Sequence, residues 1–211
     1  MSRAPARNGG MNGAKSGGVV RAALLAGLLA SSLCGAQTGA PPAREPEVRA
    51  VNGCHLWPYA QCPGADLRHA DLVGMDLRGV NLHHAKLARA NLRSANLAGA
   101  NLDAADLTAV QAYALNAPGA SFRQARLVGA NLTQARLFRA EMSGADLDGA
   151  SLEAARMDLV FLVGARLTNA NLQETKFNGT NLKNASMEGS LLRYTIFPDA
   201  YTEGCAGCPK E

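Results

Sequence analysis

Ala65-Asp66-Leu67-Arg68-His69 is followed at once by Ala70-Asp71-Leu72-Val73-Gly74, and the same five-residue pattern runs unbroken to Asp199. With Leu67 as the first central residue, 27 successive pentads end on Phe197, and 25 of the 27 centres are Leu, Met or Phe. The exceptions are Ala112 and Ala117. Two positions before each centre the residue is nearly always small, usually Ala, and the residue just before the centre is often Asp or Asn. Neither standard element carries this period. On an α-helix, Leu every five residues drifts round all faces, because a stripe needs spacings of three and four. On a continuous strand, an odd spacing sends successive Leu to opposite faces. A short extended piece followed by a turn does work: small and large residue point the same way, and the chain turns before the next pair. Gly74, Gly79, Gly99, Gly119, Gly129, Gly144 and Gly149 all stand two after a centre, where a turn needs positive φ. Repetition closes a coil with apolar residues inside and polar ones outside.

The units Ala-Asn-Leu-Ala-Gly (95–99), Ala-Asn-Leu-Asp-Ala (100–104) and Ala-Asp-Leu-Asp-Gly (145–149) resemble the pentapeptide-repeat family, and the resemblance covers residues 65–199, about two-thirds of the chain. It implies an all-β fold, a right-handed quadrilateral β-helix with four pentads per coil and so nearly seven coils here. At ~4.8 Å per coil the rod is on the order of 30 Å long.

The flanks read differently. Residues 1–36 hold Arg3, Arg7, Lys15 and Arg21 and no acid; removing these four from 21 basic residues leaves 17 against 17 acidic ones, so the formal charge of +4 vanishes outside this segment. That balance argues against general nucleic-acid binding. The apolar run from Ala22 to Leu33 is too short to span ~30 Å of hydrocarbon and suits the core of an export signal. Cleavage is expected after Ala36, with Ser32 as the alternative site. Cys34 as a lipid-anchor site and an uncleaved membrane anchor are the competing readings; Leu33 is bulky where a lipid-attachment motif carries a small residue. The expected organisation is a signal peptide 1–36, a flexible linker 37–53, a disulfide-closed cap 54–64, the β-helix 65–199 and a tail 200–211. The protein is expected to be exported, periplasmic or secreted.

Outside the signal four cysteines remain, Cys54, Cys62, Cys205 and Cys208, two on either side of the repeat. Across a rod of that length the pairs cannot meet, since bridged Cα atoms lie within about 7 Å, so pairing is local: Cys54 with Cys62 and Cys205 with Cys208. The first pair is expected to close a cap that lays Leu56 and Trp57 on the first coil. The second reads as a tail staple, a redox or zinc-binding pair, or free thiols.

With four pentads per coil, residues twenty apart stack. One column reads Asp66, Lys86, Asp106, Arg126, Asp146, Arg166, an alternation expected to form a structural charge ladder. On the next face, Arg136, Arg156 and Lys176 stack in a row with Arg139 nearby. This is either a solvated stripe partly offset by Asp158 or a surface for an anionic partner. Phe138, Leu159, Phe161 and Val163 are apolar at outward positions near one corner, on two adjacent coils: a contact patch or a local bulge around 157–163. Residues 109–118 invert the small-then-large order and either stay in register or loop out.

No catalytic set, cofactor site or metal site is legible. His69, His83 and His84 converge with no carboxylate pair or Cys/His ligands, and the glycines are five apart rather than in a phosphate loop. The reading is a non-enzymatic exported interaction module: a rod offering a surface to an unknown protein or anionic envelope component, without nucleic acid, touching the membrane only through its signal or a lipid anchor. The alternatives are a topoisomerase-binding DNA mimic of the gyrase-protecting type, which an acidic surface would accompany, and a thiol protein using Cys205 and Cys208.

Overall fold

The computed structural model describes residues 49–209. Residues 1–36, read above as an export signal with Cys34, the expected linker as far as residue 48, and the last two residues lie outside the described residues. Each pentad turns after its centre. The Leu67 carbonyl accepts from the Ala70 N–H at 3.1 Å, and the third residue of that turn, His69, has φ 58°. Positive φ at this place is what a type II turn demands. Gly74 supplies it without steric cost, at φ 64°, but Arg89 and Ala104 adopt it too, at 59° and 55°, held by the bonds between coils. Those bonds run both ways: the Leu67 N–H donates to the Lys86 carbonyl at 2.7 Å, and the Lys86 N–H to the Ala65 carbonyl at 2.8 Å.

Parallel bridges therefore join residues twenty apart, without interruption, from Gln61↔Asn81 to Ser186↔Ala206. Four bridge columns make four faces: the first contains Asp66, the second Asp71, the third Asp76 and the fourth Gln61. This is a quadrilateral β-helix. The central leucines from Leu67 to Leu182 are buried, and so are the alanines two before a centre from Ala70 to Ala185. Each such Leu contributes ~1.5–3 kcal/mol of hydrophobic stabilisation. Among the described residues there is no helix, and the longer strands are β1 (Arg49–Val51) and β2 (Cys54–Leu56), an antiparallel pair with Val51 opposite Cys54.

The ends extend further than the repeat pattern indicates. Cys62 occupies a central position, its N–H donating to the Asn81 carbonyl at 2.9 Å, so the segment 54–64 is partly coil and not only a cap. At the other end Tyr201 bridges Asn181 and Ala206 bridges Ser186, so the tail begins after 206 rather than at 200. The linker likewise ends before β1. Both local disulfides are present, Cys54–Cys62 and Cys205–Cys208, each with Cα atoms 5.7 Å apart. Leu56 is buried as expected, but Trp57 is 46% exposed and stacks on His55, ring centroids 5.3 Å apart. Strand β2 points Cys54 and Leu56 inward, and Trp57 starts the turn that its carbonyl closes by accepting from Ala60.

The central inversion stays in register, with Gln111 bridged to Asn91 and Asn131. Val110 and Leu115 fill the space left by Ala112 and Ala117, and all four are buried. Toward the C-terminal end, hydroxyls enter the core. Thr175 and Thr180 are fully buried and donate to the Leu152 and Met157 carbonyls at 2.7 and 2.5 Å; Thr195 donates to the Leu172 carbonyl at 2.7 Å. A buried hydroxyl needs such a partner.

Candidate functional site

The third face carries the cationic column. Arg136 is bridged to Arg156, and Arg156 to Lys176, so three cations sit on consecutive coils, ~4.8 Å per step. The column lies across the rod from the alternating one, not beside it, because two pentads of the four separate them. Arg156 reaches Asp158 at 3.6 Å. That carboxylate also accepts a hydrogen bond from Asn178. Among the described residues, Arg136, Arg139 and Lys176 form no ion pair. A shallow cavity of about 190 Å³ is lined by Asn116, Pro118, Arg136, Phe138, Arg156 and Asp158.

The apolar residues wrap the corner between the third and fourth faces. Phe138, Leu159 and Phe161 are 43%, 40% and 46% exposed, while Val163 is half-buried. No bulge accounts for them: Phe161 bridges Glu141 and Asn181 in register. The Arg139 guanidinium lies 5.1 Å from the centre of the Phe138 ring, a cation–π contact. Leu159 lies over the turn at Gly179, where an added Cβ would meet its Cδ2 at 2.8 Å.

On the first face Asp66, Lys86, Asp106, Arg126, Asp146 and Arg166 are bridged in order, but a close ion pair between successive coils forms only at Arg166–Asp146, 3.2 Å, among the described residues. Asp66 turns instead to Arg68 in its own pentad, at 2.6 Å, and Asp106 accepts from the Thr108 hydroxyl, also at 2.6 Å. Residues on either side of a buried centre both point outward, so Asp66 and Asp106 meet partners two apart before partners twenty apart. The same pairing joins Asp76 to Arg78 at 2.7 Å. The Arg68 hydrogen bonds hold the Asp66 carboxyl at about 2, below its ordinary 3.8. A depressed folded value means that the interaction stabilises above the unfolded-state pKa and is lost as pH falls through the folded one. Asp66→Asn is therefore expected to melt slightly below the parent near neutral pH, the effect being small because the pair is exposed. The two melting curves should converge as the pH is lowered through about 2.

His83 and His84, without His69, line a second, unrelated hollow of about 410 Å³ with Asp103, Arg123 and Ser143. His83 and His84 stand with ring centres 4.0 Å apart. Among the described residues no group of three His, Cys, Asp or Glu side chains is placed to hold a metal ion.

A family model for pentapeptide repeats, in 8 copies, matches residues 57–83, 76–110, 119–153 and 162–197. The chain belongs to the pentapeptide-repeat family. Its coil is the right-handed quadrilateral β-helix of that family. Among solved structures, this pentapeptide-repeat protein is similar to HetL, involved in heterocyst differentiation regulation in the cyanobacterium Nostoc sp. strain PCC 7120, with 31% identity over 70% of each chain and a TM-score of 0.47. Rfr23 from the cyanobacterium Cyanothece 51142 is 25% identical, covering 64% of this chain and 90% of its own, TM-score 0.28. A trypsin-treated QnrB1, a plasmid-mediated fluoroquinolone resistance protein, is 16% identical, covering 68% and 80%, TM-score 0.38. No curated protein matches the chain. The local Asp66–Arg68 and Asp76–Arg78 pairs and the buried threonines of this pentapeptide-repeat rod escape a reading by columns alone; the signal for the first was an acid and an arginine flanking one centre, Asp-Leu-Arg at 66–68 and 76–78.

Proposed function

We propose that this pentapeptide-repeat protein is a non-enzymatic, exported interaction module whose third face meets an anionic component of the cell envelope. One observation carries the reading: Arg136, Arg156 and Lys176 stand in register on three consecutive coils, and the only carboxylate that reaches them among the described residues is Asp158. Backbone bonds fix the spacing of their Cα atoms, so three cations stay concentrated on one face, and like charges so placed draw an external anion. Export agrees with the two local disulfides, which persist in oxidising compartments. Intact mass of protein recovered from a bacterial periplasm tests it: residues 1–36 are expected to be absent, and four thiols to appear only after reduction. A full-length chain with free thiols would reverse the assignment.

The surface is tested by cosedimentation with an envelope fraction. Arg136→Glu/Arg156→Glu is expected to lower retention about tenfold. Arg93→Glu/Arg193→Glu changes net charge equally on the second face and is expected to leave retention unchanged. Equal losses from both pairs would mean bulk charge and no defined surface.

A further inference from the structure

We infer that the anionic component is the bilayer itself: the corner between the third and fourth faces inserts Leu159, Phe161 and Phe138 at the interface of an anionic membrane, with Arg136, Arg156 and Lys176 beside them at headgroup level. This rests on the third face being the working surface, and it adds what touches that surface.

The corner is built to protrude. Two residues after the third-face centres the column reads Tyr59, Gly79, Gly99, Gly119, Arg139, Leu159, Gly179, Asp199. Tyr59 and Asp199 carry side chains at the two ends of this edge; between them only Arg139 and Leu159, on two consecutive coils, interrupt the glycines. Leu159 packs over the glycine turn above it, which holds its side chain in place. Phe138 precedes Arg139 on the third face, and Phe161 follows Leu159 on the fourth. Three large apolar groups, each at least 40% exposed, thus stand on a convex edge where neighbouring coils present glycine, polar residues or, below Phe138, Pro118. An amphipathic surface of this composition, apolar residues flanked by Lys and Arg, is what anionic interfaces bind.

Other anionic partners explain less. An acidic peptide lying along the column would account for the cations, but its same-side residues recur every ~6.8 Å, out of step with coils ~4.8 Å apart. An acidic polysaccharide would also pair with the cations and could use the cavity beside Phe138. Both leave Leu159 and Phe161 facing water on an outward edge. A bilayer covers them and supplies anions without fixed spacing. Because the edge runs along the helix axis, the rod lies flat on the membrane. Glu141, bridged to Phe161, is the one acid facing this edge from the fourth side; it accepts a bond from the Ser143 hydroxyl at 2.5 Å and lies 3.8 Å from Arg123.

The test uses the periplasmically recovered chain and vesicles of equal parts phosphatidylglycerol and phosphatidylcholine, against phosphatidylcholine alone. The single tryptophan, Trp57, is changed to Phe, and a reporter is placed by Phe161→Trp or, on the second face, Tyr113→Trp. Trp at 161 is expected to shift to the blue on anionic vesicles and to be quenched by brominated acyl chains, whereas Trp at 113 stays in water. An attached N-terminal apolar segment cannot produce that contrast. Arg136→Gln/Arg156→Gln should weaken partition roughly 30-fold, about fivefold per cation. Leu159→Ser should weaken it roughly fivefold while leaving the preference for anionic lipid intact. A reporter at 161 that stays in water, or shifts no more than the one at 113, overturns the inference. If the third-face charges still govern envelope retention in that case, the interaction surface stands and its partner is an acidic protein or polysaccharide. If they do not, both readings fall.

Discussion

Leu115→Ala is expected to cost about 3–5 kcal/mol, the range for emptying a fully buried Leu site. The position is sensitive because its pentad is inverted. Ordinarily the centre is large and the residue two before it small; here Ala117 is the centre and Leu115 supplies the volume, both buried. Truncating Leu115 leaves two alanines facing one another inside a coil whose backbone is pinned above and below by Asn116 bridges to Asn96 and Arg136. The coil cannot collapse into the hole without breaking those bonds. The double variant Leu115→Ala/Ala117→Leu restores the usual order and should recover most of the loss, because the pentads stacked below and above it, 95–99 and 135–139, both carry that arrangement. Denaturant unfolding of the three proteins checks this. Equal stability of Leu115→Ala and the double variant would show that the two positions do not share one space. The defect lies mid-rod, so its melting curve should also broaden, since each coil of a solenoid is stabilised mainly by its neighbours.

The same pentads explain what could be read from the chain before its structure. A five-residue period that neither helix nor strand can carry left one solution, and the parallel bridges from Asn81 to Tyr201 follow it residue by residue. The cationic column and the corner were legible for the same reason, since twenty-residue stacking converts sequence into surface. What resisted were places where identity and position disagree. Cys62 holds a core site normally given to Leu, and Thr202 a central site at the other end, so the first and last pentads looked like flanks. Thr175 and Thr180 replace the small apolar residue, and only the structure shows carbonyls waiting inside. The charge ladder had the right register but overlooked competition: Arg68 sits within its own pentad and takes Asp66 before Lys86 can. Where an acid has a partner in its own pentad, as Asp66 has Arg68 and Asp106 has Thr108, that partner is taken first; where it has none, as at Asp146, the pair forms across coils.

Removing the N-terminal disulfide should produce a different signature from the core cavity. Cys54→Ala/Cys62→Ala is expected to cost about 2–3 kcal/mol, the loop-closure contribution of so short a ring. Both sulfurs are shielded, with Cys54 and Cys62 6% and 8% exposed, so the variant also loses some packing. Strand β1 is held by pairing with β2, by Val51 against the core and by the Asn52 side chain next to it, which donates to the Asp66 carbonyl at 2.7 Å, while the cross-link ties β2 to the first central position of the rod. Without it, the hairpin covering the first coil has Leu56 as its one buried anchor outside the cysteines, since Trp57 faces outward. Loss should therefore appear as local opening: amides of 49–56 exchange far faster, the first coil somewhat faster, and those near Leu137 hardly change. Low-energy openings of this kind are confined to cooperative units in a nearest-neighbour structure. Hydrogen exchange resolves the two cases. Uniform acceleration along the whole rod would mean that the cap nucleates the entire β-helix rather than sealing one end of it.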